Sequence, residues 1–242
     1  MKRRVIRAGA VVLLAIILGG TIGTLATARR EAHNVVHPPR QDLDETPADL
    51  ALLYQEVTLT TDDGLALRGW YIPGRNGAAI IVQHGYGGTR QGMLPVADML
   101  NERGYAVMLF DWRGHGQSEG DLVTFGVREV YDVRAALEWL RDRPDLDDRR
   151  IGALGDSMGA VALLYAAARL PAINAVVAVS AFPSLSSQVE IGVEERAELP
   201  AFPFAPLIVW FAEREAGIPI SSLDLTRDIG EISPRPVFLL HG

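Results

Sequence analysis

Four short, almost wholly apolar runs, at residues 78–83, 106–110, 151–154 and 175–179, constrain the fold more than any other feature. A strand with one wet face alternates polar and apolar residues. A run that is apolar at every position is buried on both faces, the condition of a parallel sheet covered by helices. Stretches with helical spacing separate the runs, at 93–103, 127–141 and 158–168, and the last is apolar nearly all round. Strands alternating with such helices predict an α/β chain with a mainly parallel sheet. Residues 236–240 add a further strand, and 55–61 and 66–72 form an edge hairpin around Asp63-Gly64, the signal of a two-residue type I′ turn. Residues 182–233, rich in Pro and aromatics, break the rhythm as either a lid or an irregular excursion.

The N-terminus obeys a different solvent. Residues 8–28 carry no charge, and as a helix they reach roughly 30 Å, the thickness of a hydrocarbon core. The expected organisation is a transmembrane anchor or signal segment over 1–30, a linker over 31–50 and the body over 51–242. Ala26-Thr27-Ala28 has the small-x-small form of a cleavage site, so a secreted product stands beside the anchored one. Lys2, Arg3, Arg4 and Arg7 precede the span, whereas Glu31 offsets Arg29 and Arg30 after it. The positive-inside rule then puts the N-terminus in the cytoplasm and the body outside.

Beyond residue 30, 17 cations face 30 acids, a balance that repels phosphate backbones and argues against nucleic-acid binding. The chain has no Cys, which excludes disulfides, thiol nucleophiles and Cys-ligated metals.

Three loops at strand ends carry the candidate chemistry. Gly155-Asp156-Ser157-Met158-Gly159 lies between a buried strand and an apolar helix, the setting of a nucleophile elbow, in which a sharp turn lifts the Ser hydroxyl above the sheet. Side chains at 155 and 159 are expected to collide with neighbouring backbone. His84-Gly85-Tyr86-Gly87-Gly88 follows the 78–83 strand and could supply the second oxyanion donor through the Tyr86 amide, the first coming from Met158. His84, and His115 in Asp111-Trp112-Arg113-Gly114-His115-Gly116, are expected to brace loops, with Asp111 and Arg113 forming a local ion pair.

These motifs, with Gly69-Trp70 and the stretch 236–242, resemble in order the α/β-hydrolase superfamily, in its serine-hydrolase branch similar to monoglyceride lipases and serine aminopeptidases. The resemblance implies Ser157 as nucleophile, the Tyr86 and Met158 amides as oxyanion hole, a small-molecule acyl substrate, and neither metal nor organic cofactor. Ester, thioester and amide bonds all remain open, as does the oligomeric state. Phe182, Phe202, Phe204, Trp210 and Phe211 hint at an apolar acyl group. In that branch the triad acid follows the strand at 236–240 and the His comes later, so both are expected beyond Gly242. The sequence thus reads as a C-terminally incomplete hydrolase, lacking the last strand and helix and retaining residual activity. A non-catalytic relative or a gene fragment is the rival reading.

Overall fold

The computed structural model describes residues 2–195 and 197–241; the burial of residues 2–8 falls outside it. Met1, Arg196 and Gly242 are therefore outside the described residues, and so are the side chains of Lys2, Arg3, Arg4 and Arg7, on which the predicted orientation rests.

Helix α1 (Lys2–Val36) precedes strands β1 (Gln55–Thr60), β2 (Ala66–Ile72) and β3 (Ala79–Gln83). Then come α2 (Leu94–Glu102), β4 (Ala106–Phe110), α3 (Glu129–Arg141), β5 (Ile151–Asp156), α4 (Met158–Arg169) and β6 (Ala175–Val179). Helices α5 (Leu185–Glu195) and α6 (Ala201–Ala216) and several short turns lead to β7 (Val237–Leu240). One seven-stranded sheet runs β1-β2-β4-β3-β5-β6-β7. Only β1–β2 and β2–β4 pair antiparallel; the other four pairings are parallel. The expected mainly parallel sheet with flanking helices is thus the observed one.

Strand β4 explains why its sequence carries no alternation. Ala106, Met108 and Phe110 face the larger core with α3 and α4, whereas Val107 and Leu109 face a second core with α2. All five are buried. At about 25 cal/mol per Å2, every position contributes, so no position is left polar.

The first hairpin departs from expectation. Thr60 pairs with Ala66, and the Thr61 N–H donates to the Leu65 carbonyl at 2.9 Å. The loop is the three residues Asp62-Asp63-Gly64, and Gly64, at φ 88°, takes the left-handed position. A type I′ turn needs positive φ at both central residues; Asp63 does not supply it, so the turn closes through a glycine bulge instead.

The stretch expected as a linker also behaves differently. Helix α1 runs on past residue 30, and Ala28, Ala32 and Val36, spaced four apart, are buried against the body together with Ala205, Ile208, Ala212 and Ala216 of α6. Beyond the helix, Arg40 donates to the carbonyls of His115, Gly116, Ser118 and Gly120. The small residues let the helix axes approach, which is why the segment docks rather than dangles. The preceding part is long and apolar enough to cross a membrane, with a mean hydropathy of 2.2 in its best window, and its large apolar side chains between Val11 and Leu18 are more than half exposed.

Candidate active site

Strand β5 delivers the chain to Asp156, and α4 begins at Met158. Ser157 makes the turn between them alone, at φ 51° and ψ −118°. That backbone region favours glycine, and holding a Ser there costs on the order of 1–3 kcal/mol. The flanking glycines explain how so sharp a turn fits. A Cβ at Gly159 would stand 2.6 Å from the His84 carbonyl oxygen, and one at Gly155 would stand 2.5 Å from the Gly159 carbonyl carbon. The expected collisions are therefore real. Ser157 N–H donates to the Val179 carbonyl at 2.8 Å, tying the turn to β6. Among the described residues, the Ser157 hydroxyl has no hydrogen-bond partner.

Gly85 packs beside this turn: a Cβ there would lie 3.2 Å from Ser157 Cβ. The next residue, Tyr86, stacks on Phe125 with ring centroids 5.7 Å apart and planes 8° from parallel. Its hydroxyl donates to the Asn34 carbonyl of α1, and burial pushes its pKa up to about 12. Phe125 is held by Glu129, a buried carboxylate that accepts from the N–H groups of Thr124 and Gly126 at 2.8 and 2.7 Å. Met158 is fully buried at the first position of α4. Neither the Tyr86 nor the Met158 N–H has an acceptor among the described residues.

The two histidines nearest the site have both ring nitrogens engaged. His84 Nδ1 donates to the Gly85 carbonyl at 2.8 Å, and its Nε2 accepts from the Trp112 N–H at 3.3 Å. His115 repeats the pattern, donating to the Arg113 carbonyl at 3.1 Å and accepting from the Gly87 N–H at 3.0 Å. One donor and one acceptor per ring is the neutral imidazole. Burial agrees, pulling His84 down to about 3 and lowering His115 as well.

The predicted Asp111–Arg113 pair does not form. Asp111 binds Arg90 at 2.5 Å, and Arg113 binds Asp132 at 2.6 Å and Asp63 at 2.7 Å. Residues 111–113 turn away from the end of β4 as a loop, and each charge meets its partner on another element: Arg90 just before α2, Asp132 on α3 and Asp63 in the β1–β2 loop.

Ser157 opens into a pocket of about 840 Å3 whose apolar wall includes Phe125, Phe182, Leu185, Val189, Leu199 and Ile208. Of the five aromatics expected to contact an acyl group, Phe182 lines it; Phe202 and Trp210 instead face outward, 81% and 51% exposed. Sequence reasoning missed the opposite wall, where α1 contributes Thr27, Arg30, Glu31, Asn34 and Val35. Their spacing of three and four residues was a readable signal of one helical face.

Residues 29–195 match the family described as X-Pro dipeptidyl-peptidase (S15 family). An uncharacterized protein of Mycobacterium tuberculosis is 34% identical over 194 residues, covering 78% of this chain and 66% of that protein. A thiohydrolase of Aspergillus aculeatus is 28% identical over 190 residues, covering 77% of this chain and 54% of its own. The chain therefore spans between about half and two thirds of these relatives. Among solved structures, an esterase of Pyrococcus furiosus superposes with a TM-score of 0.68 at 32% identity, covering 84% of this chain and 75% of that one.

Proposed function

Because the chain belongs to the S15 family of the α/β-hydrolase superfamily, we propose that it is a hydrolase whose nucleophile is Ser157. The hydroxyl attacks the carbonyl of an ester, thioester or amide, the acyl group passes to Ser157, and water releases it. The N–H groups of Tyr86 and Met158 receive the developing oxyanion, and the α4 N-terminus adds its partial positive charge. One observation carries the reading: a serine held at φ 51° between a buried strand and a buried helix, its hydroxyl unpaired among the described residues and facing a pocket. A strained, unpaired nucleophile aimed at open space is stabilised by nothing in its own neighbourhood.

The apolar wall supports an apolar acyl group, as do the esterase and thiohydrolase names among the relatives. We read α1 as a membrane anchor that also walls the pocket, because its apolar half is exposed and its other half is docked. The cationic flank ahead of it supports a cytoplasmic N-terminus and a body on the far side. Among the described residues no imidazole contacts the Ser157 hydroxyl.

A fluorophosphonate probe tests the nucleophile. Labelling of the wild type, absent in Ser157→Ala, is the expected result. A folded protein that stays unlabelled at Ser157 overturns the reading and leaves a non-catalytic relative.

A further inference from the structure

Two other histidines lie where α1 packs against α6. His33 and His37 stand one helical turn apart, their ring centroids 4.3 Å from each other. Both address a single atom. Glu215 Oε1 on α6 is 2.7 Å from His33 Nδ1 and 3.0 Å from His37 Nε2. The remaining nitrogen of His37, Nδ1, lies 2.5 Å from the Asp121 carbonyl oxygen.

The proton count around His37 is unlike that at His84 and His115. Those rings each meet one donor and one acceptor. His37 meets two acceptors, a carbonyl and a carboxylate, and a neutral imidazole has one N–H for the two. With the N–H given to Asp121, the Nε2 lone pair points at a carboxylate oxygen that His33 also approaches. Lone pairs converging on one spot need a cation between them.

We propose that His33 Nδ1, His37 Nε2 and Glu215 Oε1 bind a divalent transition-metal ion, with zinc as its representative, which pins α1 to α6. The donor atoms lie within 4.8 Å of one another, so movements of about 1 Å or less bring them to the ~2.0–2.2 Å of zinc–nitrogen and zinc–oxygen bonds. Two imidazoles and one carboxylate favour zinc, copper or nickel over magnesium and calcium, which prefer all-oxygen shells. The Asp121 carbonyl fills the supporting role usual for a ligating histidine, holding Nδ1–H so that Nε2 stays free for the metal. His33 is 58% and Glu215 32% exposed, which leaves room for water at the remaining position. Since α1 carries Thr27, Glu31 and Asn34 into the pocket beside Ser157, the ion would fix that wall in place.

The experiment uses the full chain in detergent micelles, stripped with EDTA and dialysed against micromolar zinc chloride, with metal content read by mass spectrometry. One zinc per chain is expected, with affinity at least about tenfold weaker in His37→Ala and in Glu215→Ala and unchanged in His241→Ala. Zinc should also raise the melting temperature of the wild type and not of His37→Ala. If His37→Ala fails to fold, His33→Ala, at a more exposed position, takes its place. Folded protein retaining less than about 0.1 zinc per chain overturns the proposal and leaves a protonated imidazole–carboxylate clasp. Binding that persists in both site variants overturns it equally. Ser157 labelling takes no part in this test, so the site stands or falls separately from the hydrolase reading.

Discussion

Replacing Ser157 by Gly should stabilise the fold while removing the proposed nucleophile. The serine sits at φ 51° and ψ −118° and its hydroxyl bonds nothing among the described residues, so deleting the side chain forfeits no hydrogen bond. Relief of backbone strain returns about 1–3 kcal/mol. Glycine's extra freedom in the unfolded chain takes back about 0.5–1 kcal/mol. The balance is a gain of up to about 2.5 kcal/mol, centred near 1, which in a chain of 242 residues moves the melting temperature up by roughly 2–4 °C per kcal/mol. Ser157→Ala is the control, since it loses the hydroxyl but keeps the Cβ and hence the strain. Differential scanning fluorimetry on the three proteins in the same detergent should rank Gly above Ala, with Ala close to wild type. If Ser157→Gly melts at or below Ser157→Ala, the turn is not strained and the elbow argument loses its energetic basis.

Acid should destabilise the protein through His84. Its pKa is about 3 when buried and ordinary when unfolded, so the unfolded chain takes up a proton that the folded one refuses. This contribution is complete above pH 6.5 and is lost as pH falls toward 3, amounting to about 2 kcal/mol by pH 5; urea midpoints at pH 7.5 and 5 measure it, and His84→Gln should flatten the difference. Arg90→Ala should cost about 3–5 kcal/mol, because Asp111, fully buried, would keep its charge without its partner. Arg134→Ala, which breaks the exposed pair with Asp62, should cost under about 1 kcal/mol, and equal losses in the two variants would refute the burial argument.

The sheet was legible because each of its buried strands is short, apolar throughout and bounded by polar turns. The elbow was legible because Gly155 and Gly159 are required by contacts within a few residues of sequence or with the next strand end. What escaped were pairings and dockings between elements that no local motif marks. Asp111 and Arg113 look like a pair along the chain, yet Asp132 and Arg90 lie on α3 and the segment before α2. The Asp63-Gly64 turn was misjudged by one residue because strand register, fixed by the Thr60–Ala66 pairing, outweighs the turn's own preference. Residues 28–36 sit beside an uncharged run that dominates any window, which hid the docking face of Ala28, Ala32 and Val36.

Helix α1 passes without a break from exposed apolar residues to buried ones. A rod with no joint transmits orientation. Where its apolar half lies in a bilayer, the body can turn only together with the rod, and cannot tip away from it or retreat along it. Thr27 and Asn34, both on the pocket wall, are separated by roughly 10 Å of helix. On the proposed reading of α1 as an anchor, the altitude of Ser157 above the lipid would be set by covalent geometry, and a substrate would have to present its scissile bond at that height. Two alanines inserted between Leu25 and Ala28 would lift the site by about 3 Å and rotate it by some 200°, turning its mouth to the other side of the rod.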